Sequence, residues 1–130
     1  MIVVDNSVLV SALVDGGPTG KACAARLSGE RLVAPDVIDL EAANALRGLL
    51  LGRKITGREA SRAIETLAVL PIERVPHGAL LPGVWQLRHN YTPYDAAYVA
   101  LAEHLHTSLV TGDARLHRAN GARCPIELIR

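Results

Sequence analysis

Five short runs rich in β-branched residues, separated by longer helix-forming stretches, constrain the fold of this chain more than any other feature. The runs are Ile2–Val4, Leu32–Ala34, Ile72–Val75, Ser108–Thr111 and Ile126–Ile129. The first and fourth are apolar on both faces, the pattern of central parallel strands covered by helices on each side. Helices are expected at Ser7–Val14, Lys21–Leu27 and Val37–Gly52. Thr56-Gly57-Arg58-Glu59 has the capping-box form and opens a helix that runs toward Leu70. Ala79–His89 reads as a helix with Pro82 in its first turn, where a missing N–H costs nothing. Thr92-Pro93 opens another, Pro93–Leu105, and a short helix follows Asp113. Alternation of this kind gives an α/β sandwich around a mostly parallel sheet. Ligands of such sheets bind beyond the carboxyl ends of the strands, where the strand order reverses. The residues that follow each strand therefore matter most.

Length supports this economy. The 130 residues fit one domain spanning 1–130, with no repeat, linker or low-complexity tract. Its core must be aliphatic, since there is no Phe and only one Trp and three Tyr. Cys23 and Cys124 form no C-x-x-C pair, so zinc and redox chemistry lack support; two reduced thiols of a cytoplasmic protein are expected. No segment approaches the roughly 20 apolar residues of a membrane helix. The apolar start lacks a basic region and contains Asp5, unlike a signal peptide.

Two of the strands end in acids. Ile2-Val3-Val4 leads into Asp5, and Ser108–Thr111 leads through Gly112 into Asp113. If these strands are neighbours, both carboxylates face one crevice, although each Asp is also well suited to cap the helix that follows it. Glu41 lies within Val37-Ile38-Asp39-Leu40-Glu41-Ala42-Ala43-Asn44-Ala45-Leu46, a helix apolar nearly all round. A carboxylate there is costly unless it is paired or bound to metal. Asn44 is close to one turn on and shares its face. Asp36 and Asp39 lie at the start of the same helix, where capping and the helix dipole account for them. Asp95, in the first turn after Thr92-Pro93, either completes a capping pair with Thr92 or projects from the helix end as a site acid. Four carboxylates facing one crevice would repel one another without a cation, and all-oxygen ligands select Mg²⁺ or Mn²⁺. Such ions activate water for attack on a phosphodiester.

Four segments carry a resemblance: IVVDNSVLVSAL (2–13), PDVIDLEAANALR (35–47), YDAAYVALAEHL (94–105) and LVTGDARL (109–116). In this order and spacing the chain resembles a PIN domain, and more narrowly the VapC toxins of bacterial toxin–antitoxin pairs. The resemblance implies a three-layer α/β/α sandwich with a five-stranded parallel sheet in the order 3-2-1-4-5. It places the family's metal-binding acids on Asp5, Glu41, Asp95 and Asp113, and its helper hydroxyls on Ser7 and Thr111. It further implies Mg²⁺ or Mn²⁺, endonucleolytic cleavage of single-stranded regions of RNA, a homodimer, and a VapB-like antitoxin. Members often have a further acidic or small polar residue just after the fourth acid. Here Ala114 and Arg115 stand there, a departure that weakens a second metal site. Asn6 stands where Thr or Ala is common and receives no catalytic role.

Set apart the four acids and nine remain, against 14 Lys and Arg. An acidic pocket in a basic surround suits a polyanion that must approach metal. Arg115 and Arg118 are the side chains best placed for substrate phosphate. Arg47, Arg53, Lys54, Arg58 and Arg62 form the densest basic run, either an RNA grip or a solvated hairpin face. Trp85, Tyr94 and Tyr98 are suited to base stacking or, more simply, to core or dimer packing. Two other function classes compete. A haloacid-dehalogenase-like phosphatase needs a second Asp two residues after the first, where this chain has Ser7. A receiver needs a Lys after its last central strand, and none follows. An idle PIN domain would not retain all four acids, and a housekeeping RNA-processing nuclease keeps the chemistry while dispensing with an antitoxin.

Overall fold

The computed structural model describes all 130 residues. In chain order its elements are β1 (Ile2–Val4), α1 (Asn6–Val14), α2 (Pro18–Leu27), β2 (Leu32–Pro35), α3 (Ile38–Leu51), α4 (Gly57–Val69), β3 (Ile72–Val75), a 3₁₀ turn (Gly78–Leu80), α5 (Leu81–Gln86), α6 (Pro93–His104), β4 (Leu109–Thr111), α7 (Ala114–Arg118) and β5 (Ile126–Leu128). The strands form one parallel sheet in the order β3-β2-β1-β4-β5. β1 and β4 are neighbours, with Val3 opposite Leu109 and Val4 opposite Val110, and every residue of both is buried. That matches the expectation from their two-sided apolarity.

The connections explain the layers. β1 leads outward to β2 and then β3, and right-handed crossovers place α1 to α4 on one face. The chain then returns across the sheet to β4 and β5, which places α5, α6 and α7 on the other. α1 packs against α2, α3 and α4, while α6 lies over β1, β2 and β4. α6 is buried along Ala96–Ala102, which is why its sequence is apolar on all sides. One core of 29 residues, almost entirely aliphatic, joins both faces. No helix is long and apolar enough to cross a membrane.

Element ends differ from expectation by a residue or two, except in two places. α2 begins at Pro18 rather than Lys21, because Pro suits the first helical turn. The stretch expected as one helix over Ala79–His89 is split. A 3₁₀ turn precedes α5, which restarts at Leu81 with Pro82 in its first turn and ends at Gln86. Gly83 allows α5 to approach α6, since a Cβ there would lie 3.0 Å from that of Ala100. The capping box at Thr56 and Glu59 is formed in both directions. Asp36 and Asp39 do not cap α3, whose N-terminus has no side-chain cap. Asp39 instead accepts two hydrogen bonds from Arg74, at 2.8 and 2.9 Å, pinning α3 to β3.

The two leucines of α3 separate core from surface. Leu46 is 1% exposed and Leu40 75% exposed. Leu46→Ala should lower the unfolding free energy by about 2–5 kcal/mol, whereas Leu40→Ala should change it by less than about 0.5 kcal/mol. Urea denaturation measures both.

Candidate active site

Asp5 leaves β1 at the carboxyl edge of the sheet, where its amide still donates to the Val110 carbonyl at 2.9 Å. It occupies the N-cap position of α1, yet its side chain makes no capping bond. One of its oxygens, Oδ2, accepts from Ser7 Oγ at 2.6 Å and from Thr111 Oγ1 at 2.8 Å. Both hydroxyls are oriented by backbone amides. Gly112 N–H donates to Ser7 Oγ, and Asp113 N–H donates to Thr111 Oγ1. Two hydroxyls from opposite ends of the sequence therefore point their protons at one carboxylate oxygen. The same bonds hold the loop that delivers Asp113.

Glu41 enters from the first turn of α3. Its Oε1 accepts from Tyr98 Oη at 2.7 Å and from Asn6 Nδ2 at 3.5 Å, and the same Asn6 amide lies 3.3 Å from Asp5 Oδ1. Asn6 thus links two acids, and Tyr98, a fully buried residue of α6, ties the third contributing helix to them. Burial and the neighbouring carboxylates push the Tyr98 phenol well above its usual range, so it stays protonated and donates. Sequence alone assigns Asn6 no catalytic role and suits Tyr98 to base stacking or packing; the full burial of Tyr98 excludes stacking, and its contact with an acid was not anticipated. Asn44, expected beside Glu41, is exposed and forms no side-chain hydrogen bond.

Asp95 is in the first turn of α6, where its amide donates to Thr92 Oγ1 at 3.2 Å. Its side chain is 21% exposed and that of Asp113 32%. Asp113 does cap α7: its Oδ1 accepts from the amides of Arg115 and Leu116 at 2.9 and 3.4 Å. Capping and facing the crevice prove compatible for this residue. The Arg115 guanidinium lies between the last two acids, 3.3 Å from Asp113 Oδ2 and 3.7 Å from Asp95 Oδ2. Arg118 is exposed on α7 without an ion pair. The basic run from Arg47 to Arg62 is exposed at the other end of the sheet. α3 runs away from the acids, and its last residue lies about 15 Å along the axis from Glu41. Tyr94 and Trp85 are exposed, and Arg88 stacks over the Trp85 ring at 4.9 Å.

Asp5, Glu41 and Asp95 all have pKa values above the ordinary carboxylate range. Burial is the main cause in each, and charge from the other acids adds to it. Negative charge in this crevice is therefore unfavourable as it stands. The donor set is oxygen only, which suits Mg²⁺ or Mn²⁺. As they stand, no three of the acidic side chains are close enough together to hold one ion between them. Mg²⁺ does not need a complete cage, because it keeps several waters and takes few protein ligands. Glu41 Oε2 accepts no hydrogen bond from the protein, Asp5 Oδ1 meets the Asn6 side-chain amide at 3.3 Å, and Asp95 Oδ2 faces the Arg115 guanidinium at 3.7 Å.

This arrangement of acids at the edge of a 3-2-1-4-5 sheet matches a known family. Residues 2–122 match the PIN domain. The chain belongs to the PIN-domain family. Ribonuclease VapC9 of Mycobacterium tuberculosis is 40% identical over 129 residues, which is 99% of this chain and 98% of that protein. Within the family, this PIN domain therefore falls among the VapC proteins. The crystal structure of PAE2754 from Pyrobaculum aerophilum superposes with a TM-score of 0.72 at 22% identity, covering 98% of this chain and 83% of that one. The structure of VapBC2 from Rickettsia felis, bound to a DNA fragment from its promoter, superposes at 0.63 with 13% identity, covering all of both chains. These two likenesses show the fold.

The raised acids make a thermodynamic prediction. A folded-state pKa above the unfolded value means that the folded protein binds protons more tightly. Stability from these groups is complete below their ordinary values of 3.8 and 4.5 and is lost as pH rises through the raised ones. Asp5→Asn removes the buried charge and keeps one oxygen for Ser7 and Thr111. At neutral pH without divalent metal it should melt a few degrees higher than the wild type. The difference should shrink as the solution is made mildly acid. A lower melting temperature for the variant at neutral pH would show that the charge itself holds the fold.

Proposed function

We propose that this PIN domain is a Mg²⁺- or Mn²⁺-dependent endoribonuclease that acts as the toxin of a toxin–antitoxin pair. The observation that carries the reading is the convergence of Asp5, Glu41, Asp95 and Asp113 on one crevice, in a chain 40% identical to a named ribonuclease. A divalent cation bound there would neutralise the carboxylates and, with a water it acidifies, promote in-line attack on a phosphodiester. Asp5, Glu41, Asp95 and Asp113 would hold it.

The chain's own contributions follow from the geometry. Ser7 and Thr111 fix the Asp5 carboxylate in one orientation. Tyr98 and Asn6 fix Glu41, so neither acid needs to reorganise during the reaction. Arg115 and Arg118 on α7 offer cations to the phosphates on either side of the cleaved bond. The excess of basic over acidic side chains outside the crevice raises the local concentration of a polyanion. Cleavage of single-stranded regions is the part of this reading that the family resemblance supplies. The VapBC2 likeness supports a VapB-like antitoxin as partner. Leu81, Trp85 and Tyr94 leave an apolar surface on α5 and the start of α6 that would serve a homodimer. A cytoplasmic location fits two free thiols and an RNA substrate.

Purified protein should lose cleavage of single-stranded RNA in EDTA and regain it with Mg²⁺ or Mn²⁺, but poorly with zinc. Asp5→Asn, Glu41→Gln, Asp95→Asn and Asp113→Asn should each reduce the rate by about 100-fold or more. Asp36→Asn and Asp39→Asn should leave it nearly intact, although the second should cost some stability through Arg74. Cleavage at the full rate in a metal-free preparation would contradict the mechanism. Inactivity of folded Asp39→Asn would move the site to the other carboxylate of α3.

A further inference from the structure

Asp113 has no free oxygen. Its Oδ1 takes the amides of Arg115 and Leu116, and its Oδ2 takes the Arg115 guanidinium. Arg115 reaches both oxygens of one acid from the same residue, by backbone and by side chain, and its guanidinium also lies against Asp95. The backbone half of this contact is part of the α7 cap. The side-chain half is not needed to build the helix: Leu116, 2% exposed, already anchors α7 in the core. The Arg115 side chain is 73% exposed, so it is free to leave without opening a cavity. Across the crevice, Asp5 and Glu41 are held by neutral donors alone. All the positive charge supplied by the protein to the acid crevice therefore falls on its Asp95–Asp113 side.

We propose that Arg115 is a built-in counter-ion of the crevice, which a divalent cation must displace before it can use Asp95 and Asp113. This rests on the acid crevice being the cation site. A guanidinium and a divalent cation facing the same two carboxylates repel each other and draw on the same lone pairs, so the binding of one weakens the other. The metal-free protein is thereby protected from part of its own charge repulsion, at the expense of metal affinity. Once displaced, the guanidinium remains tethered beside the crevice by the α7 cap, close to where a phosphate would lie.

The test is the affinity of the metal-free protein for Mn²⁺ in the absence of RNA, measured by calorimetric titration and by the electron paramagnetic resonance signal of unbound Mn²⁺. Arg115→Gln should bind Mn²⁺ about fivefold more tightly than the wild type, the scale of one exposed ion pair lost. Arg118→Gln removes the same charge from the same helix without touching an acid, and should shift the affinity by much less. Equal or weaker binding by Arg115→Gln would overturn the proposal, as would an equal gain in Arg118→Gln, which would reduce the effect to general electrostatics. Failure of the wild type and both variants to bind Mn²⁺ would remove the cation site itself, and with it the metal-dependent reading.

Discussion

The structure depends on a carboxylate placed where charge is expensive. Asp5 ends the central strand and is 4% exposed, surrounded by aliphatic core on the sheet side. It is tolerated because two hydroxyls donate to it, and those hydroxyls are themselves fixed by amides of the β4–α7 loop. Removing a charge from water costs several kcal/mol unless hydrogen bonds and a counter-charge compensate. Here the hydrogen bonds compensate in part, since the pKa stays raised. The remaining penalty favours a cation. Ser7 and Thr111 thus do two things at once. They orient an acid, and they join the start of the chain to the segment that supplies Asp113.

The parallel sheet makes this convergence possible. With β1 and β4 adjacent, the ends of two strands distant in sequence open on the same edge, and α3 and α6 present their first turns to it. Glu41 and Asp95 are then delivered by helix N-termini, where the helix dipole favours negative charge. Tyr98 carries the arrangement through the core: one turn of α6 beyond Asp95, it reaches Glu41 on α3. α6, buried along Ala96–Ala102, gives Asp95 and Tyr98 a rigid mount, while α3 is held by Ile38, Ala42 and Leu46 on its buried stripe.

Much of this was readable in the residues. The two-sided apolarity of Ile2–Val4 and Ser108–Thr111 identified the central pair of strands, and the cap at Thr56 and the Pro at position 93 fixed two helix starts. Asp5 and Asp113 drew attention from strand ends, Glu41 from the oddity of a Glu on an apolar helix and Asp95 from the first turn of its helix, and the family resemblance named the four together. Local pattern could not decide between cap and site for Asp5 and Asp113, because both uses look alike in sequence. The structure separates them: the Asp5 side chain caps nothing, and Asp113 caps α7 with Oδ1 while its Oδ2 meets Arg115. Asn6 and Tyr98 were missed for a different reason. Their role depends on how closely α3 approaches α1 and α6, a tertiary distance with no local signature. Tyr98 did carry one sign, since it lies three residues from Asp95 and so on the same face. Asn44, one turn beyond Glu41, is exposed and forms no side-chain hydrogen bond to the acids. Pro82, which lacks an N–H and so belongs in a first turn, accounts for the restart of the helix at Leu81 within the stretch expected as one helix over Ala79–His89.

The central claim is that this crevice cuts RNA. Mapping of RNA 5′ and 3′ ends in cells after brief induction tests it most directly, with wild type compared against Glu41→Gln at equal protein level. The account predicts discrete new internal ends, recurring at a small set of positions, that appear with the wild type and are absent with the variant. Identical new ends in both, or none in either while the wild-type protein is folded and present, would contradict it.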